Sequence, residues 1–73
     1  MSSINIQLLN PLTNEKKTIS VNTKELIKDA KKKYHLENHN WLFNGQVLQD
    51  NKTFEEFEIE NDDVIISQKI LLG

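Results

Sequence analysis

The segment from Trp41 to Phe57 constrains the fold more than any other part of this sequence. Asn44-Gly45 separates two apolar runs, and this dipeptide favours a two-residue hairpin turn because both central residues need positive φ. Thr53 and Glu56 then have the spacing of a capping box, in which each side chain binds the other residue's backbone N–H. Phe54 and Phe57 lie three residues apart and therefore share one face of a helical turn. The segment predicts a hairpin followed directly by a short capped turn that points two aromatic rings inward.

Composition restricts the class of protein. The 73 residues predict one small domain, 1–73, near the lower size limit for a single apolar core. There is no cysteine for disulfides, and all nine basic residues are lysine at a net charge of −2. Nucleic-acid binders usually carry a basic excess and arginines, so that class is disfavoured. The sequence has no apolar run of transmembrane length and no signal-peptide pattern at its start. We expect a monomeric cytoplasmic or nuclear protein, without nucleic-acid or membrane partners.

Hydrophobic periodicity predicts the remaining elements. Residues 4–8 and 17–21 alternate apolar and polar, which indicates an antiparallel hairpin. Its core-facing residues are predicted to be Ile4, Ile6, Leu8, Ile19 and Val21. A helix capped by Asn22 or Thr23 follows, with Leu26, Ile27, Ala30 and Tyr34 on its apolar stripe.

The other face of this helix is rich in lysine. Lys31, Lys32 and Lys33 lie in its last turns, where positive charge suits the helix dipole, and they are predicted to be solvated. Residues 35–40 are predicted to be a polar connection. Residues 64–72 are predicted to be a final strand, and the apolar run at its start indicates a central position in the sheet. The order β-β-α-β-β-turn-β predicts an α+β fold in which a mixed sheet packs on one main helix.

Three segments of this sequence resemble ubiquitin and ubiquitin-like domains. Residues 21–27 are similar to the passage from strand to helix in that family, residues 42–50 to its L-I-F-x-G-x-x-L-x-D segment, and residues 52–59 to its R-T-L-x-x-Y-x-I segment. The resemblance extends from Ile4 to Gly73. It implies the β-grasp fold, with the last strand parallel to the first at the centre of the sheet.

The resemblance also implies a recognition surface on the outer sheet face and the tip of the first hairpin. Leu42 matches the central isoleucine of the family's apolar patch, and Leu9, Pro11 or Leu12 matches its hairpin-tip leucine. Ile66 and Gln68 fall where ubiquitin has a histidine and a valine. The expected patch is therefore centred on Leu42 and Ile66. The alternative is that Leu42 packs beneath the tail and Ile66 beneath Leu42, with no role in recognition.

The end of the sequence, residues 69–73, departs from the family's L-R-L-R-G-G tail. Gly73 offers an unhindered carboxylate, but the arginines are replaced by Ile70, Leu71 and Leu72. One hypothesis is a covalent modifier, exposed by a processing protease or a self-cleaving flanking domain and attached through Gly73 by activating and conjugating enzymes. The other is a ubiquitin-like domain of a larger protein that docks noncovalently on ubiquitin-fold receptors in the ubiquitin–proteasome system. The glycine favours the first hypothesis and the apolar tail the second; we favour the first narrowly.

The sequence gives little support to an enzyme or a metalloprotein. We find no convergent set of a nucleophile, a general base and an oxyanion donor. His35 and His39 have the spacing of two metal ligands on one helix face, but their context indicates a loop, and no carboxylate pair or cysteine completes the site. We therefore expect neither catalytic residues nor a cofactor.

Overall fold

The computed structural model describes residues 3–70, which form a five-stranded mixed sheet with one α-helix. The elements in chain order are β1 Ser3–Leu9, β2 Lys16–Asn22, α1 Ile27–Lys33, β3 His39–Phe43, β4 Gln46–Val47, a 3₁₀ turn at Glu55–Phe57, and β5 Val64–Lys69. The strand order is β2-β1-β5-β3-β4, with β1 and β5 parallel and the other pairs antiparallel. The predicted β-grasp arrangement is confirmed, including the central position of the last strand.

The apolar core lies between the inner face of the sheet and α1. Ile6, Leu8, Ile19 and Val21 are buried, and Ile4 is half-buried against the core, as the alternation predicts. Trp41 and Phe54 are the largest fully buried side chains, and their ring centres are 6.2 Å apart. Truncating one such aromatic to alanine typically costs about 3–5 kcal/mol, which is a large share of a small domain's stability.

The helix begins later than the sequence predicts. The N–H of Asn22 donates to Glu25 Oε1, and Asn22 Oδ1 accepts the N–H of Lys24, but these cap-like bonds close a separate turn before the helix. Leu26 lies outside α1 and pairs with Thr53 in an isolated β-bridge. The first helical N–H groups, of Ile27 and Lys28, donate to the backbone carbonyls of residues 52 and 50, at 2.8 and 3.1 Å. These distant carbonyls replace the predicted side-chain cap and set the start of the helix.

The prediction that Lys31 is solvated is wrong. This residue is 5% exposed, and its Nζ lies 2.8 Å from the Asp50 Oδ1 and 5.9 Å from the centre of the Trp41 ring. Its aliphatic stem therefore belongs to the packed side of α1, where the carboxylate and the ring face the ammonium. Lys32 and Lys33 are exposed as predicted.

Both features of the constraining segment, 41–57, are confirmed. Asn44 and Gly45 have φ of 52° and 77°, the conformation that a type I′ turn requires. The backbone N–H of Thr53 donates to Glu56 Oε2 at 2.8 Å, and the N–H of Glu56 donates to Thr53 Oγ1 at 3.3 Å. The hydrogen bond from the Thr53 backbone is the largest cause that lowers the pKa of Glu56, because it stabilises the carboxylate.

Two strand boundaries differ from the sequence prediction. His39 and Asn40, predicted in a connection, belong to β3 because they pair with Lys69 and Gln68 of β5. The last strand, predicted to reach residue 72, ends at Lys69. Leu71 and Leu72 lie outside the described residues.

Candidate functional site

Four apolar side chains form a continuous row across the outer face of the sheet. Leu9 of β1 pairs with Ile66 of β5, Ile66 pairs with Leu42 of β3, and Leu42 pairs with Val47 of β4. Directly paired residues point to the same face of a sheet, with their Cβ atoms about 4.5–5.5 Å apart in antiparallel pairs. We call Leu9, Ile66, Leu42 and Val47 the apolar row. The strand register thus brings together three residues of the predicted patch.

The apolar row is open to solvent at two of its four positions. Val47 is 53% exposed and Ile66 38%, whereas Leu9 and Leu42 are half-buried. Val47 was missed by the sequence prediction, although the necessary signal was present. A two-residue turn at Asn44-Gly45 pairs Phe43 with Gln46, and so places Val47 directly opposite Leu42.

The other predicted site residues lie outside the apolar row. Leu12 is 87% exposed at the tip of the β1–β2 loop. Gln68 pairs with Asn40, two residues beyond Ile66 on the same face. Ile70 is 38% exposed, and its N–H donates to the carbonyl of Asn38 at 2.7 Å. Gly73, predicted as a conjugation site, and the tail residues Leu71 and Leu72 lie outside the described residues.

The strands of the outer face carry almost no charge around the apolar row. Pairing and burial assign to this face, besides the row and Val64, mainly short polar side chains. Lys16 is the one charged residue among the described strand residues on it; the others are Ser3, Asn5, Gln7, Thr18, Ser20, Asn22, Asn40 and Gln68. Contacts made here therefore gain little from charge attraction.

A hydrogen-bonded chain of three side chains lies on the inner side of β3 and β5. The Nε1–H of Trp41 donates to Ser67 Oγ at 3.1 Å, and Ser67 Oγ lies 3.2 Å from His39 Nδ1. Ser67 is 7% exposed, and Trp41 is fully buried. The sequence prediction missed this chain because its members are 26 and 28 positions apart.

The two histidines do not share a helix face. His35 follows the end of α1 with φ of 59°, and His39 is in β3. Within residues 3–70 no three His, Asp or Glu side chains are grouped so that they could hold a metal ion. In the same part of the chain, no helix has the length and apolarity needed to cross a membrane.

Comparisons with known proteins agree with the topology. Residues 4–67 match the family model described as the ubiquitin family. Among solved structures, the chain is similar to the UBL domain of Plasmodium falciparum Dsk2, with a TM-score of 0.80 and 16% sequence identity. That match covers 92% of this chain and 97% of the other, and at such low identity it shows the fold alone. A search of curated protein sequences finds no significant match.

Proposed function

Because this chain belongs to the ubiquitin family, whose domains generally bind other proteins, we propose that it is a noncovalent docking module that binds ubiquitin-fold receptors through the apolar row. The observation that carries this proposal is the register-defined row of four apolar side chains, with Ile66 and Val47 exposed. The proposal gives the chain a binding role in the cytoplasm or nucleus, not a catalytic one.

The chemistry of the outer face restricts the kind of partner surface that can bind it. A small apolar surface supports weak association, roughly micromolar to millimolar in Kd. Charged rims speed association and make it sensitive to salt. Because Lys16 is the one charged strand residue described on this face, we expect a partner with an uncharged apolar contact surface. Its affinity should change little, less than about twofold, between low and physiological ionic strength.

Ile66 and Val64 provide a matched pair of variants. They lie two residues apart on the same face of β5 and are 38% and 39% exposed, but only Ile66 belongs to the apolar row. The isotopically labelled chain would be titrated with a panel of ubiquitin-receptor domains and followed by NMR. We expect shifts at the apolar row, and we expect Ile66→Ser to weaken binding about tenfold, as truncation of an interface anchor does. Val64→Ser should have a smaller effect. Equal effects of the two variants, or shifts confined to α1, would refute docking through the apolar row.

Conjugation through Gly73 is the alternative function, and it remains a prediction from the sequence. An N-terminally tagged chain would be expressed in cells beside a Gly73→Ala variant and examined on denaturing blots. A ladder of heavier species that disappears with the alanine variant would identify a covalent modifier. A single unshifted band for both proteins would leave noncovalent docking as the function.

A further inference from the structure

A trough runs around one end of the sheet, beyond the apolar row. Its inner half is lined by Leu8, Leu36, Ser67, Glu15 and Lys17. Its outer half is lined by Pro11, Leu12, Gln68 and Lys69. Asn10 and His39 line both halves, so the two grooves adjoin at these residues. We use the term end trough for this surface.

The hydrogen-bond chain behind the end trough orients His39. The indole N–H of Trp41 can only donate, so Ser67 Oγ accepts this bond. Ser67 Oγ also lies 3.2 Å from His39 Nδ1, and this contact holds the imidazole by that nitrogen. Within residues 3–70, Nε2 of the same ring has no hydrogen-bond partner.

Asn10, the other residue shared by both halves, presents a hydrogen-bond donor. Its Oδ1 accepts the backbone N–H of Leu12 at 2.9 Å, and its amide nitrogen has no partner within residues 3–70. Lys17 adds a cation to the inner half and Lys69 adds one to the outer half. Neither forms an ion pair with a described carboxylate. Glu15 is the one acidic residue of the lining. Positive charge therefore outweighs negative charge along the end trough, with two lysines against one glutamate.

We propose that the end trough is a second protein-binding site, which takes an extended partner segment with an acidic side chain next to a large apolar one. The cations of Lys17 and Lys69 attract the carboxylate, and the amide nitrogen of Asn10 can donate a hydrogen bond to it. The apolar neighbour packs on the leucines of the trough, Leu8 and Leu36 inside or Leu12 at the rim. This site differs from the apolar row in position and in its preference for charge.

The test uses a pair of blocked tetrapeptides, acetyl-Gly-Leu-Glu-Gly-amide and its glutamine analogue. Each would be titrated into the labelled full chain and followed by NMR. We expect shifts at Asn10, His39 and Lys69 with a roughly millimolar Kd, and at least threefold weaker binding of the glutamine peptide, because it lacks the charge. Equal affinity for the two peptides, or shifts only at the apolar row, would overturn the proposal.

Variants that remove the charge of a single lysine test the role of the lysines. Lys17→Gln and Lys69→Gln should each weaken binding of the glutamate peptide about two- to threefold and leave the glutamine peptide unaffected. Lys28→Gln changes the net charge equally but lies on α1, outside the lining, and should have no effect. If all three variants weaken binding alike, the attraction is to net charge alone and the end trough is not the site.

Discussion

The partly buried ion pair between Lys31 and Asp50 predicts that removing one partner destabilises the fold much more than removing the other. The Lys31 side chain is 6% exposed, whereas that of Asp50 is 62% exposed, with 2.8 Å between Nζ and Oδ1. Removing the carboxylate leaves a cation in the packed interior. Removing the cation leaves a carboxylate in water. We therefore expect Asp50→Ala to destabilise the fold more than Lys31→Met.

The size of each effect follows from burial. Removing one partner of a fully buried pair costs about 3–5 kcal/mol. Here water can reach the site from the Asp50 side, so we expect Asp50→Ala to lower the free energy of unfolding by about 1–3 kcal/mol. Lys31→Met keeps an apolar stem of similar length and removes the burial of charge. It loses an ion pair and a cation–π contact of about 0.5–1 kcal/mol each, and its net effect should stay within about 1 kcal/mol.

Urea and thermal unfolding measure this asymmetry. Since 1 kcal/mol shifts Tm by about 4–8 °C in a domain of this size, Asp50→Ala should lower Tm by roughly 5–20 °C. Lys32→Met, a change at the exposed neighbour, is the matched control. In the Lys31→Met background, Asp50→Ala should lose most of its effect, because no buried cation remains. This reasoning would be refuted if Lys31→Met lowered the free energy of unfolding as much as Asp50→Ala does, or more.

Two further predictions concern single hydrogen-bonded groups. Ser67→Ala should lower the free energy of unfolding by about 1–3 kcal/mol, because it leaves the buried Trp41 N–H without an acceptor. Ser20→Ala, at an exposed position, is the control. Equal losses of unfolding free energy for the two variants in urea would contradict the prediction. The lowered pKa of Glu56 makes its carboxylate stabilising above the pKa of the unfolded chain, and this stability is lost as pH falls through the folded pKa. Glu56→Gln should therefore flatten the fall of Tm below about pH 4.5, and an unchanged acid slope would refute the role of the capping box with Thr53.

Local patterns in the sequence predicted the features that depend on nearby residues. The alternation of β1 and β2 identified their inner faces because neighbouring side chains on a strand point to opposite sides. The turn at Asn44-Gly45 and the Thr53–Glu56 box were predicted because all their partners lie within a few positions. Leu42 and Ile66 were assigned to the recognition surface through the family resemblance, and the structure places them side by side.

Features that depend on distant partners were not predicted. Lysine is rarely buried, and the partners that accompany the burial of Lys31 are distant in sequence: Asp50, 19 residues away, and the ring of Trp41. The start of α1 depends in the same way on the backbone carbonyls of residues 50 and 52. No pattern within a short window contains this information.

The hydrogen-bonded chain of Trp41, Ser67 and His39 relates the packing of the core to the position of the apolar row. Val64, Ile65 and Ile66 are all apolar, so hydrophobicity alone does not decide which face of β5 points inward. A shift of one residue in register would turn every side chain of the strand to the other face. It would bury Ile66, expose Ile65 and remove Ser67 from the Trp41 N–H, leaving that donor unpaired in the core. The buried hydroxyl of Ser67 therefore favours the register in which Ile66 lies beside Leu42 on the outer face, so a polar contact on the inner face helps to select the outer surface available for binding.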